Sequence, residues 1–166
     1  MECEKVELRI PNFEELDYRR KLLADKETMT YNIGYGEIDG TGCIEFKESV
    51  WKDWFERWIN NTPERYYAYI IKVDANIPVG EVALRRVNEN NSYIVNIIVE
   101  AKYRGDRFSE QALTLLIDIA FNELAADNVF DDFPKSRITA ESVFKKVGFK
   151  RVSEDIVELT KKDYYK

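Results

Sequence analysis

The stretch from residue 93 to residue 113 sets the tightest limits on how this chain can fold. Its first part, Tyr93 to Val99, is almost entirely apolar, which predicts a strand that is buried on both faces at the centre of a sheet. A short polar loop then leads directly into an amphipathic pattern that predicts a helix over residues 108–124. A central strand that runs straight into a helix is typical of an α/β domain.

Two more strand patterns, at residues 66–73 and 79–87, precede this stretch, and turn-forming residues separate all three. Together they predict an antiparallel meander. The other predicted elements are a strand at 6–10, a helix at 13–24, a long loop or irregular hairpin at 28–46, a helix at 48–59, a strand at 128–131, a helix at 139–147 that ends at Gly148, and strands at 149–152 and 156–160.

This order of elements predicts a mixed α/β fold, with a central, mostly antiparallel sheet flanked by helices on both faces. The length of 166 residues suits one domain over residues 1–166. The helix at 48–59 places Trp51, Trp54 and Trp58 at helical spacing. We interpret these rings as core, with a substrate groove wall or a dimer surface as alternatives, so a homodimer stays open.

Charge and composition narrow the choice of partners. The net charge is -6 and the pI is about 4.9, and an acidic surface repels phosphate backbones, so we expect no nucleic acid partner. No run approaches the ~20 apolar residues that would cross a membrane. The charged N-terminus is unlike a signal peptide, so we expect a cytoplasmic protein with reduced thiols.

The sequence contains no histidine, which removes imidazole bases, Ser-His-Asp triads and the commonest zinc ligand together. Its two cysteines, Cys3 and Cys43, do not make a metal site, and we expect no metal. Any proton chemistry must therefore use carboxylates, tyrosines, lysines, water or the terminal amine.

The loop before the helix at residue 108 has the features of a phosphate site. The start of a helix offers unpaired N–H groups and a partial positive charge, which together favour a diphosphate. Arg104 and Arg107 would add charge-assisted hydrogen bonds. The alternative interpretation is a plain connection that carries two solvated arginines.

This segment resembles the acetyl-CoA-binding motif of the GNAT superfamily. There a strand ends in Val, and five residues later an Arg or Gln begins the pattern R-G-x-G-x-G/A, which opens a helix. The corresponding residues here are Val99, Arg104, Gly105, Asp106, Arg107, Phe108 and Ser109.

The family's second motif, Asn-x-x-Ala-x-x-x-Tyr-x-x-x-Gly-Phe, follows about thirty residues on. It is matched here by Arg137, Ala140, Phe144, Gly148 and Phe149. Two motifs in the right order and at the right separation are far more specific than either alone. By order of elements, the resemblance covers residues 66–153.

The resemblance implies an N-acetyltransferase that moves an acetyl group directly from acetyl-CoA to a primary amine. The strand that ends at Val99 would separate from its neighbour, and the pantetheine arm would pair with main chain near Ile97, Ile98 and Val99. One of these N–H groups would polarise the thioester carbonyl and stabilise the oxyanion.

The chain departs from the family pattern at four places, and one of them is Ser109, which stands where the loop motif has its last small residue. Arg107 replaces the middle glycine of the loop, and its N–H can serve phosphate if φ stays negative. Arg137 replaces the usual Asn. Phe144 replaces the Tyr that is proposed in many relatives to protonate the leaving thiolate, and phenylalanine has no proton to donate. A non-catalytic module that binds acyl-CoA or CoA at a degenerate site is therefore the alternative function.

Four residues are candidates for the base that deprotonates the amine. Asp132, five residues before Arg137, matches the glutamate proposed as base in ribosomal-protein N-terminal acetyltransferases, and Asp131 competes with it because a one-residue slip exchanges their faces. Tyr93 lies where some histone-acetylating relatives carry a glutamate. Glu81, in a strand beside the expected cleft, is third.

A loop rich in glycine and tyrosine is our candidate for the acceptor site. Tyr31, Asn32 and Tyr35 could line this site, and the loop could act as a lid that holds a cationic acceptor against its rings. A loop that is simply pinned by aromatic packing is the alternative. A nucleotide-binding protein of another α/β fold lacks support, because neither GxxxxGKS/T nor GxGxxG occurs.

Overall fold

The computed structural model describes residues 5–34, 39–87 and 90–166. Within these ranges the strands are β1 (Val6–Arg9), β2 (Arg65–Lys72), β3 (Ile77–Val87), β4 (Ser92–Val99), β5 (Asn128–Asp132), β6 (Lys150–Arg151) and β7 (Ile156–Thr160). The α-helices are α1 (Asp17–Ala24), α2 (Lys26–Met29), α3 (Glu48–Trp58), α4 (Phe108–Asn122), α5 (Ile138–Val147) and α6 (Lys161–Tyr164). None of the helices in the described ranges has the length and apolarity that crossing a membrane requires.

The strands form one sheet in the order β1-β2-β3-β4-β5-β7-β6. Every neighbouring pair is antiparallel except β4 with β5, which is parallel. The prediction of a mixed α/β fold around a mostly antiparallel sheet is therefore confirmed. The predicted central position of the apolar strand is confirmed as well. This strand is β4, which lies fourth among the seven described strands of the sheet.

One face of the sheet packs against α4 and α5, and we call it the α4 face. Val82 of β3 and Val95 of β4 point to this side, where they meet Leu116 of α4 and Phe144 of α5 in one buried cluster. Residues of alternate parity point to opposite faces of a strand. The apolar pattern of β4 thus supplies this core from its odd-numbered positions.

The other face, which we call the α3 face, carries α1 and α3. Tyr67 of β2 and Ile98 of β4 pack there with Leu22 of α1 and with Trp51 and Trp54 of α3. The interpretation of the tryptophan helix as core is confirmed for these two tryptophans, which are both buried. Helices therefore cover both faces, as predicted.

The structure differs from the prediction mainly between residues 13 and 34. The helix predicted from residue 13 begins with a separate 3-10 turn, Phe13–Glu15, before α1. The stretch predicted as loop begins with helical turns, α2 and then the 3-10 turn Thr30–Asn32. Thr28 of α2 is fully buried and its Oγ1 accepts a 2.9 Å hydrogen bond from the N–H of Ala101. A tertiary contact of this kind stabilises a helical turn that its local sequence does not indicate.

Candidate active site

The parallel pair at the centre of the sheet is hydrogen-bonded only at its beginning. The pairing of β4 with β5 runs from Ser92 with Asn128 to Ile94 with Phe130 and stops there. Beyond that point β4 continues to Val99, whereas β5 pairs only with β7. The two strands therefore part and leave a cleft beside the second half of β4.

The register of β4 determines which of its main-chain groups face this cleft. The N–H of Glu100 donates to the carbonyl of Val79, next to β3, at 2.9 Å, and Ile98 lies opposite Glu81 of β3. Because successive residues of a strand direct their N–H and C=O groups to opposite edges, those of Ile97 and Val99 point away from β3. They face the cleft, whereas the main chain of Ile98 is paired within the sheet.

The end of β4 is held in place by a close approach of β3. Gly80 lies opposite Val99, and a Cβ added to it would lie 2.1 Å from the carbonyl oxygen of Ile98. Only glycine permits this spacing. The position of the cleft-facing main chain of Val99 therefore depends on a residue in the neighbouring strand.

The loop that follows β4 contains two residues in the left-handed region. Gly105 has φ +94° and Arg107 has φ +64°. The φ of Arg107 is thus positive, not negative as the sequence-based expectation for phosphate binding required. Glycine adopts this backbone conformation freely, whereas for arginine it costs about 1 kcal/mol of conformational free energy. Residues 104–107 are all exposed, and the side chain of Arg107, at the N-cap position of α4, makes no capping hydrogen bond to the first turn.

Other residues of the first motif have structural contacts. A guanidinium nitrogen of Arg104 donates to the carbonyl of Thr28 at 3.0 Å, which fixes the loop against α2. Phe108 is buried in the core of the α4 face beside Tyr103, so only its main chain can meet a ligand. Asp106 is exposed and Ser109 is half-buried.

The second motif contributes a buried aromatic cluster. Phe144 is 3% exposed and lies between Phe133 and Phe149, with ring centroids at 5.1 and 4.9 Å. The position at which relatives carry a hydroxyl therefore belongs to the core here. Arg137, at the start of α5, is exposed, and its Cζ lies 5.1 Å from the ring of Tyr31 and 5.6 Å from that of Phe133.

The two aspartates at the end of β5 have different environments. Val129 packs in the core of the α4 face, so Asp131 points to that face and Asp132 to the α3 face. Asp131 is half-buried, and its pKa is raised to about 7, chiefly by burial and further by the charge of Asp132. A hydrogen bond from the N–H of Asp132 and the charge of Arg137 oppose that rise. Asp132 is exposed.

Glu81 is a buried carboxylate with several partners. It is 1% exposed, accepts a 2.7 Å hydrogen bond from the hydroxyl of Tyr67, and lies 3.3 Å from Nε of Arg19. The Arg19 guanidinium in turn lies 4.6 Å from the ring of Trp54. Nδ2 of the exposed Asn96 of β4 is 3.5 Å from the second oxygen of Glu81. The sheet therefore places Glu81 behind Asn96, as one half of a buried ion pair.

The structure does not bring Tyr93 to the open part of the cleft. This residue lies opposite Val129, within the paired part of β4 and β5, and is 1% exposed. Its hydroxyl donates to the carbonyl of Pro63 at 2.8 Å. Burial raises its pKa, with the charge of Arg86 acting in the opposite direction.

Of the three residues proposed for the acceptor side, Tyr31 lies near the cleft. It is half-buried, and its pKa is raised to about 12, first by burial and then by the charge of Glu81. Asp131 raises this pKa further and Arg137 lowers it, so these charges lie within electrostatic reach. Asn32 donates to the carbonyl of Gly42 at 2.9 Å and pins the loop. Tyr35 lies outside the described residues.

Sequence reasoning missed Asn96 and Arg19. A signal existed for Asn96, because it is the one polar side chain between Tyr93 and Val99. No local signal identified Arg19, because its partner Glu81 lies two strands and two helices further along the chain.

A groove of about 570 Å³ lies beside α4, between Lys5 of the N-terminal segment and Leu115 of the helix. It reaches Arg107 at the start of the helix but includes none of the residues that face the β4–β5 cleft. We therefore do not assign the acceptor to this groove.

The sequence matches the acetyltransferase (GNAT) domain family over residues 6–150. The chain belongs to this family and is thus an acyltransferase, with acetyl-CoA as the donor that the family uses. Comparison with curated proteins gives no match.

Solved structures of the same fold include proteins with different acceptors. Spermidine N-acetyltransferase from Vibrio cholerae, in complex with CoA and spermine, is similar with a TM-score of 0.77 at 13% identity, covering 97% of this chain and 98% of that one. A GNAT-family acetyltransferase from Bacillus anthracis has a TM-score of 0.75 at 14% identity, covering 98% of each chain. A nucleotide-linked-sugar GNAT protein in its apo form has a TM-score of 0.75 at 18% identity, covering 99% and 92%. Identities this low show a shared fold.

Proposed function

We propose that the chain is a single GNAT domain that transfers an acetyl group from acetyl-CoA to a primary amine, within the cleft between β4 and β5. The observation that carries the proposal is the parting of these strands after Ile94, which turns the N–H groups of Ile97 and Val99 toward an open space. That space adjoins the exposed loop before α4.

The donor would be held at two points. The exposed residues 104–107 and the uncapped first turn of α4 suit a diphosphate, because both offer backbone N–H groups at the positive end of a helix. The N–H groups of Ile97 and Val99 suit the amide oxygens of a pantetheine arm and the thioester carbonyl. A main-chain donor fixed by the sheet would stabilise the oxyanion that forms when the amine attacks.

The base in this proposal is Asp131. An amine acceptor is mostly protonated near neutral pH, so a group close to the cleft must remove a proton before nitrogen attacks the carbonyl carbon. A carboxyl group with its pKa raised to about 7 suits this task better than an ordinary one, because near neutral pH a large fraction of it is ionised and that fraction is more basic. Asp132, the first candidate from sequence, remains the alternative and faces the opposite side of the sheet.

The CoA thiolate, which is the leaving group, needs less assistance from side chains than the attacking amine does. When the tetrahedral intermediate collapses, the C–S bond breaks and the sulfur leaves as a thiolate. Thiols have an ordinary pKa of about 8.5, so a thiolate can leave near neutral pH and take its proton from water. The buried Phe144 is therefore compatible with turnover.

A module that binds acyl-CoA without turnover is the second candidate. It is favoured by Phe144, whose place in the aromatic core leaves no side-chain proton donor at that position. The two candidates differ only in whether an amine triggers release of CoA.

Calorimetric titration with acetyl-CoA, CoA and ATP, followed by a free-thiol assay over a panel of amines, tests the proposal. We expect saturable binding of acetyl-CoA and CoA, none of ATP, and thiol release that depends on an amine. Binding without release on any amine would support the second candidate. Failure to bind acetyl-CoA would refute both.

A further inference from the structure

Arg137 spans the space between the two layers that cover the sheet. Its guanidinium carbon lies 5.1 Å from the ring of Tyr31 and 5.6 Å from the ring of Phe133. Tyr31 packs against the core of the α3 face, and Phe133 belongs to the core of the α4 face. The positive charge therefore lies over rings from both layers, beside Asp131, whose pKa it lowers.

A second arginine on the same ring shows what is unusual about Arg137. Cζ of Arg151 lies 5.2 Å from the ring of Phe133, and its Nε is 2.9 and 3.0 Å from the two carboxylate oxygens of Glu141. That ion pair lowers the pKa of Glu141. Although Glu141 lies one helical turn from Arg137, its carboxylate is directed to Arg151.

Arg137 has no comparable partner. Across residues 5–34, 39–87 and 90–166, its guanidinium forms no salt bridge and no side-chain hydrogen bond. A guanidinium carries five N–H donors in one plane. Neither ring accepts an N–H hydrogen bond of the ordinary kind, so these donors suit a ligand, and their planar arrangement matches the two oxygens of a carboxylate or phosphate.

We propose, on the basis of the proposed function, that Arg137 binds an anionic group of the acceptor. The preferred acceptors are then amines that carry a carboxylate or phosphate on the same molecule. The amine end meets Asp131, and the anionic end pairs with Arg137. A polyamine without an anion would instead bring like charge to this guanidinium, which disfavours binding.

The position of Arg137 connects it with the acceptor rather than the donor. Its charge lowers the pKa of both Asp131, the proposed base, and Tyr31, the ring near the cleft, so it lies beside the group that would receive the amine. The residue is also the chain's own feature, because the family motif has an asparagine at this position.

The test compares matched acceptors that differ only in the anion. One pair is an amino acid and its amide, and a second is an amino-sugar phosphate and the unphosphorylated amino sugar, with spermidine as a polycation. We expect the wild-type protein to favour at least one anionic member by about 10- to 100-fold in kcat/KM. Arg137→Gln should abolish that preference and leave the KM for acetyl-CoA within about twofold. Lys135→Gln, which removes an exposed charge from the same loop, is the control and should keep the preference.

Each contrary outcome has its own meaning. Equal turnover within both pairs, or a preference for spermidine, would overturn the role of Arg137 and leave the proposed function intact. A large rise in the KM for acetyl-CoA in Arg137→Gln, with the acceptor preference kept, would assign the guanidinium to the donor. No thiol release with any amine would overturn the proposed function, and this inference with it.

Discussion

The backbone N–H of Asp132 donates a 2.8 Å hydrogen bond to Oδ1 of Asp131, its neighbour at the end of β5. The two carboxylates nevertheless point to opposite faces of the sheet, because side chains alternate along a strand. One is half-buried with its pKa raised to about 7, and the other is exposed. Their difference in environment makes a matched pair of substitutions informative.

Asp131→Asn should lower kcat/KM with an amine by about 100-fold or more, which is the usual contribution of a general base. In the wild-type protein, kcat/KM should rise with pH through about 7 as Asp131 loses its proton, and the variant should lack this inflection. Asp132→Asn is the control and should keep the rate, with the inflection still present but at a lower pH, because the charge of Asp132 no longer raises the pKa of Asp131. A loss confined to Asp132→Asn would reverse the assignment.

The same raised pKa has a consequence for stability. The pKa of Asp131 is about 7 in the folded protein and about 4 in an unfolded chain, so between these values the folded state binds more protons. Its contribution to the free energy of unfolding therefore falls as pH rises from 4 to 7. Denaturant unfolding should show Asp131→Asn gaining stability relative to the wild-type protein over this range. A constant difference across it would mean that the carboxyl group is not perturbed.

Arg107→Gly tests the left-handed conformation in the loop before α4. Because the arginine has φ +64°, glycine should relieve strain and raise the free energy of unfolding by up to about 1 kcal/mol. It should also weaken acetyl-CoA binding by about tenfold, if the side chain contacts phosphate. Arg107→Asn, which tolerates the same φ, should resemble glycine in both measurements. Destabilisation by both substitutions would argue against strain at this position.

The buried pair of Arg19 and Glu81 should behave as a structural unit. Arg19→Met should lower the free energy of unfolding by about 3 kcal/mol, because it leaves the carboxylate of Glu81 buried without its partner, and Glu81→Gln should lower it by less, because the Arg19 side chain is 16% exposed. The double variant should lose clearly less than the sum of the two single losses, as a double-mutant cycle would measure. Additive losses would show that the two side chains do not interact.

The fold, and the loop that joins β4 to α4, could be predicted from the sequence because their signals are local. The apolar run before Val99 and the spacing of Arg104 and Gly105 each involve only a few neighbouring residues. The structure confirms the central strand and the helix that follows it. The pairing of Arg19 with Glu81 could not be predicted, because it joins residues from separate elements. The φ of Arg107 could not be predicted either, because arginine rarely adopts a positive value.

The choice between Asp131 and Asp132 shows why the site was harder to predict than the fold. Both residues end the same strand, and only the register of β5 decides which one shares the buried face of Val129. A shift of one residue would exchange them without changing the sequence pattern. Burial, which sets the pKa of Asp131, is likewise a property of the packed structure.

Gly80→Ala tests how the end of β4 is positioned. A methyl group at this position meets the carbonyl of Ile98, so β3 and β4 must shift. We expect a loss of about 1–3 kcal/mol in the free energy of unfolding. We also expect a lower kcat, because the N–H of Val99 would move relative to the thioester. Unchanged activity in the folded variant would show that the position of Val99 is not critical.

The most direct test of amine acetylation is mass spectrometry of the acceptor after incubation with acetyl-CoA labelled in the acetyl group, combined with a count of the free thiol released. We predict that the label appears on the amine as an amide, in equal amount to the thiol, and only when the protein is present. Release of thiol without a labelled amine would show hydrolysis instead of transfer. Absence of both products across zwitterionic, phosphorylated and polycationic amines would contradict the proposed function.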